Sequence, residues 1–137
     1  MSNFVDSSAW YAAVNRSDRH NIRAKQLLGT EEALVTSDHV LVETWRLIHH
    51  FISPGAAESF WEGLRRGVAA IEQTIDADLE AAWVIGAQIP DQDFPLVDRT
   101  SFALMERLGV FRVISFDDDF AVYRFGRDRK SAFDVLR

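Results

Sequence analysis

Four acidic side chains stand at predicted strand ends or on the inward faces of predicted helices, and no lysine is near them in sequence. They are Asp6, Glu43, Asp98 and Asp117. Burying unpaired carboxylates would cost several kcal/mol each. A hard cation such as Mg²⁺, which prefers carboxylate oxygens, removes that cost. Such an ion can polarise a phosphodiester and activate water, so the pattern predicts metal-assisted phosphodiester hydrolysis.

Each of these acids, taken alone, also has an ordinary structural explanation. Asp6 and Asp117 follow predicted strands, where aspartate often caps a helix or forms a turn. Glu43 stands at the margin of an apolar helical face, and a slightly rotated helix would expose it. Asp98 would also interact favourably with a helix dipole as an exposed charge in the first turn. The metal hypothesis therefore depends on the four acids occurring together.

Other kinds of catalytic site find little support in the sequence. The absence of cysteine excludes disulfides and thiolate chemistry, and there is neither an HExxH zinc motif nor a glycine-rich phosphate loop. His49 and His50 are adjacent, and adjacent residues on a helix point about 100° apart, so they are poorly placed to share an ion. We interpret them as a solvated or RNA-facing pair.

Composition predicts one domain over residues 1–137, with 47% hydrophobic and 26% charged residues and a net charge of −6. In spite of the negative net charge, RNA is compatible with this sequence, because basic residues cluster in two places. The clusters are Arg16, Arg19, Arg23 and Lys25, and Arg124, Arg127, Arg129 and Lys130. The first cluster is either an exposed face or an RNA contact.

The sequence predicts a cytoplasmic protein. An acid, Asp6, comes early, and no basic n-region precedes it, which is unlike a signal peptide. The chain also has no apolar run long enough to span a membrane, and it has no cysteine.

Strands are predicted at residues 3–5, 33–36, 68–71 and 112–115, with edge strands at 123–125 and 132–136. Helices are predicted after a cap at Ser7 or Ser8, at 20–28, from 38 to 51, from 54 to about 66, around 79–86, and at 97–108. The apolar stripe of the 38–51 helix ends at Phe51, and that of the 79–86 helix includes Leu79 and Trp83. This alternation predicts an α/β fold with a parallel sheet covered on both faces, whose ligands bind at the carboxyl ends of the strands.

Four blocks of the sequence, at residues 4–10, 40–44, 97–105 and 114–120, resemble the VapC family of PIN domains. The resemblance extends over nearly the whole chain, although the tail after Phe125 matches poorly. It implies a single PIN domain with a three-layer α/β/α fold and a central, mostly parallel sheet. It also implies specific roles: Asp6, Glu43, Asp98 and Asp117 as a catalytic quartet holding Mg²⁺ or Mn²⁺, Asp119 as a fifth ligand, and Ser8 as a support for the first aspartate. Asp118 falls outside this set.

The same resemblance implies a function and partners. A VapC-like chain would be the endoribonuclease toxin of a type II toxin–antitoxin pair, a homodimer inhibited by a VapB-like antitoxin whose peptide enters near the pocket. Its substrate would be structured RNA, either the sarcin–ricin loop of ribosomal RNA or tRNA, and residues 36–45 look like the branch that cuts that loop. A catalytically inactive PIN domain serving as a binding scaffold is the alternative.

Two other α/β folds with clustered acids fit less well. A phosphorelay receiver domain needs an acidic pair after the first strand and a lysine after a late strand, but Ser7 and Ser8 follow Asp6, and the only lysines are Lys25 and Lys130. A haloacid-dehalogenase phosphatase needs an Asp-x-Asp motif at the same place.

Overall fold

A five-stranded parallel sheet forms the centre of the computed structural model, which describes all of residues 1–137. The strands in chain order are β1 Ser2–Val5, β2 Ala33–Ser37, β3 Ala70–Glu72, β4 Arg112–Ile114 and β5 Asp134–Leu136. They are arranged in the order β3-β2-β1-β4-β5, and every neighbouring pair is parallel. The sheet is therefore wholly parallel, where a mostly parallel one was expected.

Seven helices connect and cover these strands. They are α1 Ser7–Val14, α2 Asn21–Leu28, α3 Asp38–Phe51, α4 Pro54–Arg65, α5 Asp76–Gln88, α6 Leu96–Leu108 and α7 Asp119–Val122, with a short 3-10 turn at Pro90–Gln92. None of them combines the length and the apolar composition that crossing a membrane requires.

Burial of the central strand shows that helices cover both faces of the sheet. Phe4 and Val5 are adjacent in β1, so their side chains point to opposite faces, and both are completely buried. Helix α1 packs against α2 and α3, α3 packs against α4, and α5 packs against α6. This arrangement confirms the expected three-layer α/β/α fold.

An aromatic cluster attaches α7 to α6. Phe102 in α6 and Phe120 in α7 are both completely buried, with ring centroids 5.0 Å apart. Phe102 lies one helical turn after Asp98, and Phe120 directly follows Asp119. Packing of these two rings therefore sets the position of two acids that are far apart in sequence.

Several boundaries differ from the sequence-based expectation. The side chain of Asp6, and not that of Ser7 or Ser8, caps α1 by accepting from the Ser8 backbone N–H. Strand β3 begins two residues later than expected, because the end of α4 extends into this segment. Gly67 (φ 99°) and a hydrogen bond from the Val68 N–H to the Gly63 carbonyl terminate that helix. Residues 123–125 form no strand; their only pairing is one antiparallel bridge at Phe125.

The expected apolar stripes of α3 and α5 were partly wrong. Phe51 is 65% exposed, Leu79 42% and Trp83 74%. On α5 the buried face instead carries Asp78 and Ile85, which are seven residues apart and so lie on one side of the helix. Helix α5 turns this face towards α6, and its larger apolar side chains remain on the surface.

An ion pair explains why an aspartate is buried between α5 and α6. The Arg107 guanidinium of α6 donates two hydrogen bonds of 2.9 Å to the Asp78 carboxylate, and the Ile75 N–H donates a third. Burial opposes ionisation of Asp78, but these hydrogen bonds and the Arg107 charge outweigh it and lower the pKa of that carboxyl. This pair favours the observed rotation of α5.

Candidate metal centre

The strand order brings acids that follow three neighbouring strands to the same end of the sheet, where the carboxyl ends of the strands lie. Asp6 directly follows β1, and Asp117 comes three residues after β4, the strand that pairs with β1. Glu43 lies on α3, which begins where β2 ends on the other side of β1. Asp98 in the first turn of α6 and Asp119 at the start of α7 complete the set.

Three of the five acids lie close enough to bind a single ion. Asp98, Asp117 and Asp119 each offer one carboxylate oxygen, and these three oxygens lie within 4.8 Å of one another. Asp98 is only 4% exposed, and its Oδ2 atom is buried without a hydrogen-bond partner. No lysine or arginine forms an ion pair with any of the three. An oxygen-only ligand set with an unpartnered buried oxygen fits a hard divalent cation.

Hydrogen bonds from two serines hold Asp6 beside this group. The hydroxyls of Ser8 and Ser115 donate to Asp6 Oδ2 over 2.8 and 2.9 Å. Ser115 Oγ also accepts from the Asp117 N–H, so it connects the two aspartates. Burial raises the pKa of Asp6 in spite of these hydrogen bonds, and the Asp117 charge adds to the increase. The expected support of Asp6 by Ser8 is thus present in the structure.

Glu43 lies half-buried on the α3 side of the site, within electrostatic reach of the others. The Ser7 hydroxyl donates to Glu43 Oε1. Burial raises the pKa of Glu43, and the charges of Asp6 and Asp117 raise it further. The five acids expected from the sequence are therefore in one place: three lie together, and Asp6 and Glu43 lie beside them.

Asp98 carries the largest electrostatic strain in the site. Its pKa is raised far above the usual range by burial first, then by the adjacent Asp119 carboxyl and by the charges of Asp6 and Asp117. Burial and the neighbouring negative charges both oppose ionisation of Asp98 as long as no cation balances the cluster.

Basic and aromatic groups border the site. His20 stacks on Phe116 with ring centroids 4.3 Å apart, and Phe116 directly precedes Asp117. This contact places the middle of the first basic cluster, between Arg19 and Arg23, near the acids, and the arginines and the lysine of the cluster are all exposed. On α3, His49 stacks on Trp45 and His50 packs edge-on against Phe51, which fits a solvated pair.

Sequence analysis assigned no role to Ser115 and considered Ser7 only as a possible helix cap. Ser7 is 7% exposed, Ser115 is completely buried, and each donates to a site acid 36 or more positions away. The available signal was their position, since Ser115 lies one residue and Ser7 two residues after the carboxyl end of a strand. Only the strand pairing shows which acid each one reaches.

The PIN domain family model matches residues 4–126. A curated relative, the 23S rRNA-specific endonuclease VapC20 of Mycobacterium tuberculosis, is 35% identical over 124 residues, which is 89% of this chain and 94% of the relative. The chain belongs to the PIN domain family, in its VapC branch. The family match confirms the resemblance that the four sequence blocks suggested.

Solved structures agree with this assignment. The crystal structure of Mycobacterium tuberculosis VapC20, described as a sarcin–ricin loop cleaving toxin, superposes on this PIN domain with a TM-score of 0.81 and 32% identity, covering 88% of this chain and 93% of the other. Promoter-bound VapBC2 of Rickettsia felis (TM-score 0.63, 10% identity) and DNA-bound VapBC of Salmonella typhimurium (0.64, 13%) each cover 99% of this chain and 98% of theirs. These two share the fold.

The raised carboxyl pKa values predict how the stability of this PIN domain depends on pH. Above about pH 4 the unfolded chain has released protons that the folded site retains, so stability without metal falls as pH rises through the raised pKa values. We expect the melting temperature in EDTA to be lower at about pH 8 than at about pH 5. Added Mg²⁺ should raise it more at the higher pH, where protons no longer compete.

Thermal melts of the native chain and of Asp98→Asn, each at both pH values with EDTA or Mg²⁺, measure this effect. The variant retains all four histidines, so the difference between the two proteins isolates the carboxyl contribution. A melting temperature in EDTA that stays constant or rises with pH in the native chain would contradict the strained carboxyl cluster.

Proposed function

We propose that this chain is a Mg²⁺- or Mn²⁺-dependent endoribonuclease and the toxin component of a type II toxin–antitoxin pair. The observation that carries the proposal is the group of three carboxylates within 4.8 Å that includes the unpartnered, buried oxygen of Asp98. Such a group is costly in a protein that binds no cation, since nearby like charges repel strongly away from bulk water.

The site residues divide into holding and positioning roles. Asp98, Asp117 and Asp119 hold the ion, while serine hydrogen bonds fix Asp6 next to them. Glu43 lies half-buried beside them, and its carboxylate would provide a further oxygen ligand for the ion. When bound, the ion stabilises negative charge on the scissile phosphate.

The reaction is hydrolysis of one phosphodiester bond. The water oxygen bonds to phosphorus, the bond from phosphorus to the 3′ oxygen breaks, and that oxygen takes up a proton. The products carry a 5′-phosphate and a 3′-hydroxyl.

Structured RNA is the substrate class that we infer. The relatives are named for 23S rRNA and for cleavage of the sarcin–ricin loop, and 35% identity along nearly the full length of both chains supports the same target here, with tRNA as the second candidate. The exposed cluster of Arg16, Arg19, Arg23 and Lys25 provides cations next to the acids, and such cations bind the RNA backbone.

Two protein partners complete the proposal: a VapB-like antitoxin and a second copy of this chain, both in the cytoplasm. Two of the structural neighbours are VapBC complexes. Val42 on α3 and Trp61 on α4 are exposed and line one groove together with Leu41 and Trp45. A contiguous exposed apolar surface favours protein contacts.

A nuclease assay tests this function. The purified chain should cut a stem-loop that contains the sarcin–ricin sequence in the presence of Mg²⁺ or Mn²⁺, stop in EDTA, and spare an unstructured RNA of the same composition. A catalytically inactive PIN scaffold would bind the stem-loop and leave it intact in every buffer. That result, with correctly folded protein, would refute the enzymatic proposal.

A further inference from the structure

We propose that His39 is a substrate-contact residue whose Nε2 atom binds a phosphate of the RNA beside the metal centre. This inference rests on the proposed ribonuclease function and adds to it a residue outside the carboxylate set. His39 stands on α3 one helical turn before Glu43, so both side chains lie on the same side of the helix.

A buried threonine holds the imidazole ring. His39 Nδ1 lies 3.1 Å from the Thr100 hydroxyl, and the same hydroxyl lies 3.1 Å from the Val97 carbonyl oxygen. A carbonyl only accepts, so the hydroxyl proton goes to Val97 and Nδ1–H of His39 donates to Thr100. Thr100 is 1% exposed and sits two residues after Asp98. The ring is therefore held by the same helical turn that carries Asp98.

The opposite nitrogen of the ring is free. No group of the protein hydrogen-bonds Nε2 of His39, and this atom is not among the fully buried polar atoms that lack a partner. With Nδ1 occupied by Thr100, a protonated ring presents Nε2–H alone as its available donor. A phosphate oxygen of RNA, which only accepts hydrogen bonds, is the matching partner for this Nε2–H.

A cavity borders the metal centre on the side where His39 lies. The cavity has a volume of about 730 Å³, and His39, Glu43 and Val97 are among its lining residues. Val97 directly precedes Asp98, so the cavity opens next to two of the site acids. Arg46 lines it as well and adds a second cation. A phosphodiester repelled by carboxylates needs hydrogen-bond donors at this border.

A purely structural role for His39, as a link between α3 and α6, makes a different prediction. The amide of asparagine can occupy the position of Nδ1 and keep the bond to Thr100, but it has no equivalent of Nε2. We therefore expect His39→Asn to retain its melting temperature and its Mg²⁺-induced stabilisation, while kcat/KM for the stem-loop RNA falls about 10- to 100-fold. Glu80→Gln, at an exposed position on α5 outside the site and its cavity, should cleave at the native rate.

Binding measured without cleavage provides the second readout. In an Asp98→Asn background, which we expect to be inactive, adding His39→Asn should weaken stem-loop affinity about tenfold or more. The long-range ¹H–¹⁵N spectrum of the imidazoles should show the His39 Nε2 signal, identified by its loss in His39→Asn, shifting when the stem-loop is added.

These measurements separate the inference from the function on which it rests. If the native chain cleaves RNA and His39→Asn does so equally well, with no Nε2 shift, the contact is wrong and the ribonuclease stands. If the Nε2 signal shifts with RNA but the native chain never cleaves, the contact stands and the enzyme does not. An equal loss in Glu80→Gln would also overturn the specific role of His39, and failure to bind RNA at all would overturn both.

Discussion

Replacing Asp98 with asparagine should abolish most RNA cleavage and at the same time stabilise the metal-free protein. The substitution keeps the shape of the side chain and removes one charge from a group in which Asp117 and Asp119 lie within 4.8 Å. Folding without metal requires Asp98, ionised in the unfolded chain, either to bear the repulsion of these neighbours or to take up a proton. The amide of asparagine avoids both costs, so the melting temperature in EDTA should rise. Cleavage should fall at least about 100-fold, because the position of the ion sets the geometry of attack.

Metal binding adds a third expected result for the same variant. Mg²⁺ should stabilise the native chain by mass action and Asp98→Asn much less. Measuring melting curves and cleavage rates on the same preparations tests all three. If Asp98 were an ordinary charge at the start of a helix, its loss would slightly lower stability and leave cleavage normal. The two explanations therefore differ in the sign of the stability change.

Asp118 provides the matched control. It belongs to the same run of three aspartates, but it is exposed, and its carboxylate pairs with Arg137 at 2.9 Å outside the site. Exposed ion pairs contribute at most about 1 kcal/mol, so Asp118→Asn should cleave normally and melt close to the native chain. Equal losses of activity in the two variants would show that the acidic run acts through its bulk charge alone.

Expression of this chain in a bacterium that lacks an antitoxin should stop growth. The reason is the combination of the carboxylate cluster with the relationship to VapC20, a 23S rRNA-specific endonuclease. Sequencing of new 5′ ends should find a few discrete cuts in structured RNA. A ribosomal RNA target would place a dominant cut in the sarcin–ricin loop, whereas a tRNA target would place it elsewhere and leave that loop whole.

Asp98→Asn is again the control, since it should accumulate to the same soluble level and permit growth. Co-expression of a VapB-like antitoxin should restore growth to cells that contain the native chain. Normal growth with confirmed soluble native protein and no new RNA ends would count against the toxin proposal, whatever the structure of the site.

Local patterns in the sequence were sufficient for the order of strands and helices as far as β4 and for four of the five acids. Helix α7 was not expected, and Asp119 was chosen through the family resemblance. The alternation of short apolar strands with helical stretches predicted a parallel sheet, and Asp6 and Asp117 were marked by their places after strands. These inferences depend only on neighbours along the chain, because strand and helix periods are read from a few consecutive residues. Their catalytic and metal-binding roles stay predictions.

The assembly of the site depended on contacts between distant segments. Three aspartates come within 4.8 Å because Phe102 and Phe120 pack α7 onto α6, and Ser115 reaches Asp6 across 109 positions because β4 pairs with β1. The link between His39 and Thr100 spans 61 positions in the same way. None of these partners can be chosen from sequence spacing, since each depends on how whole elements pack.

Helix rotation was the other property that the tertiary structure decided. The spacing of Leu79 and Trp83 showed correctly that they share one side of α5, but it could not show which side would be covered. Pairing of Asp78 with Arg107 of α6 turned that side towards solvent. Periodicity defines the faces of a helix, whereas the neighbouring element determines which face is buried, because burial is a property of the contact between the two.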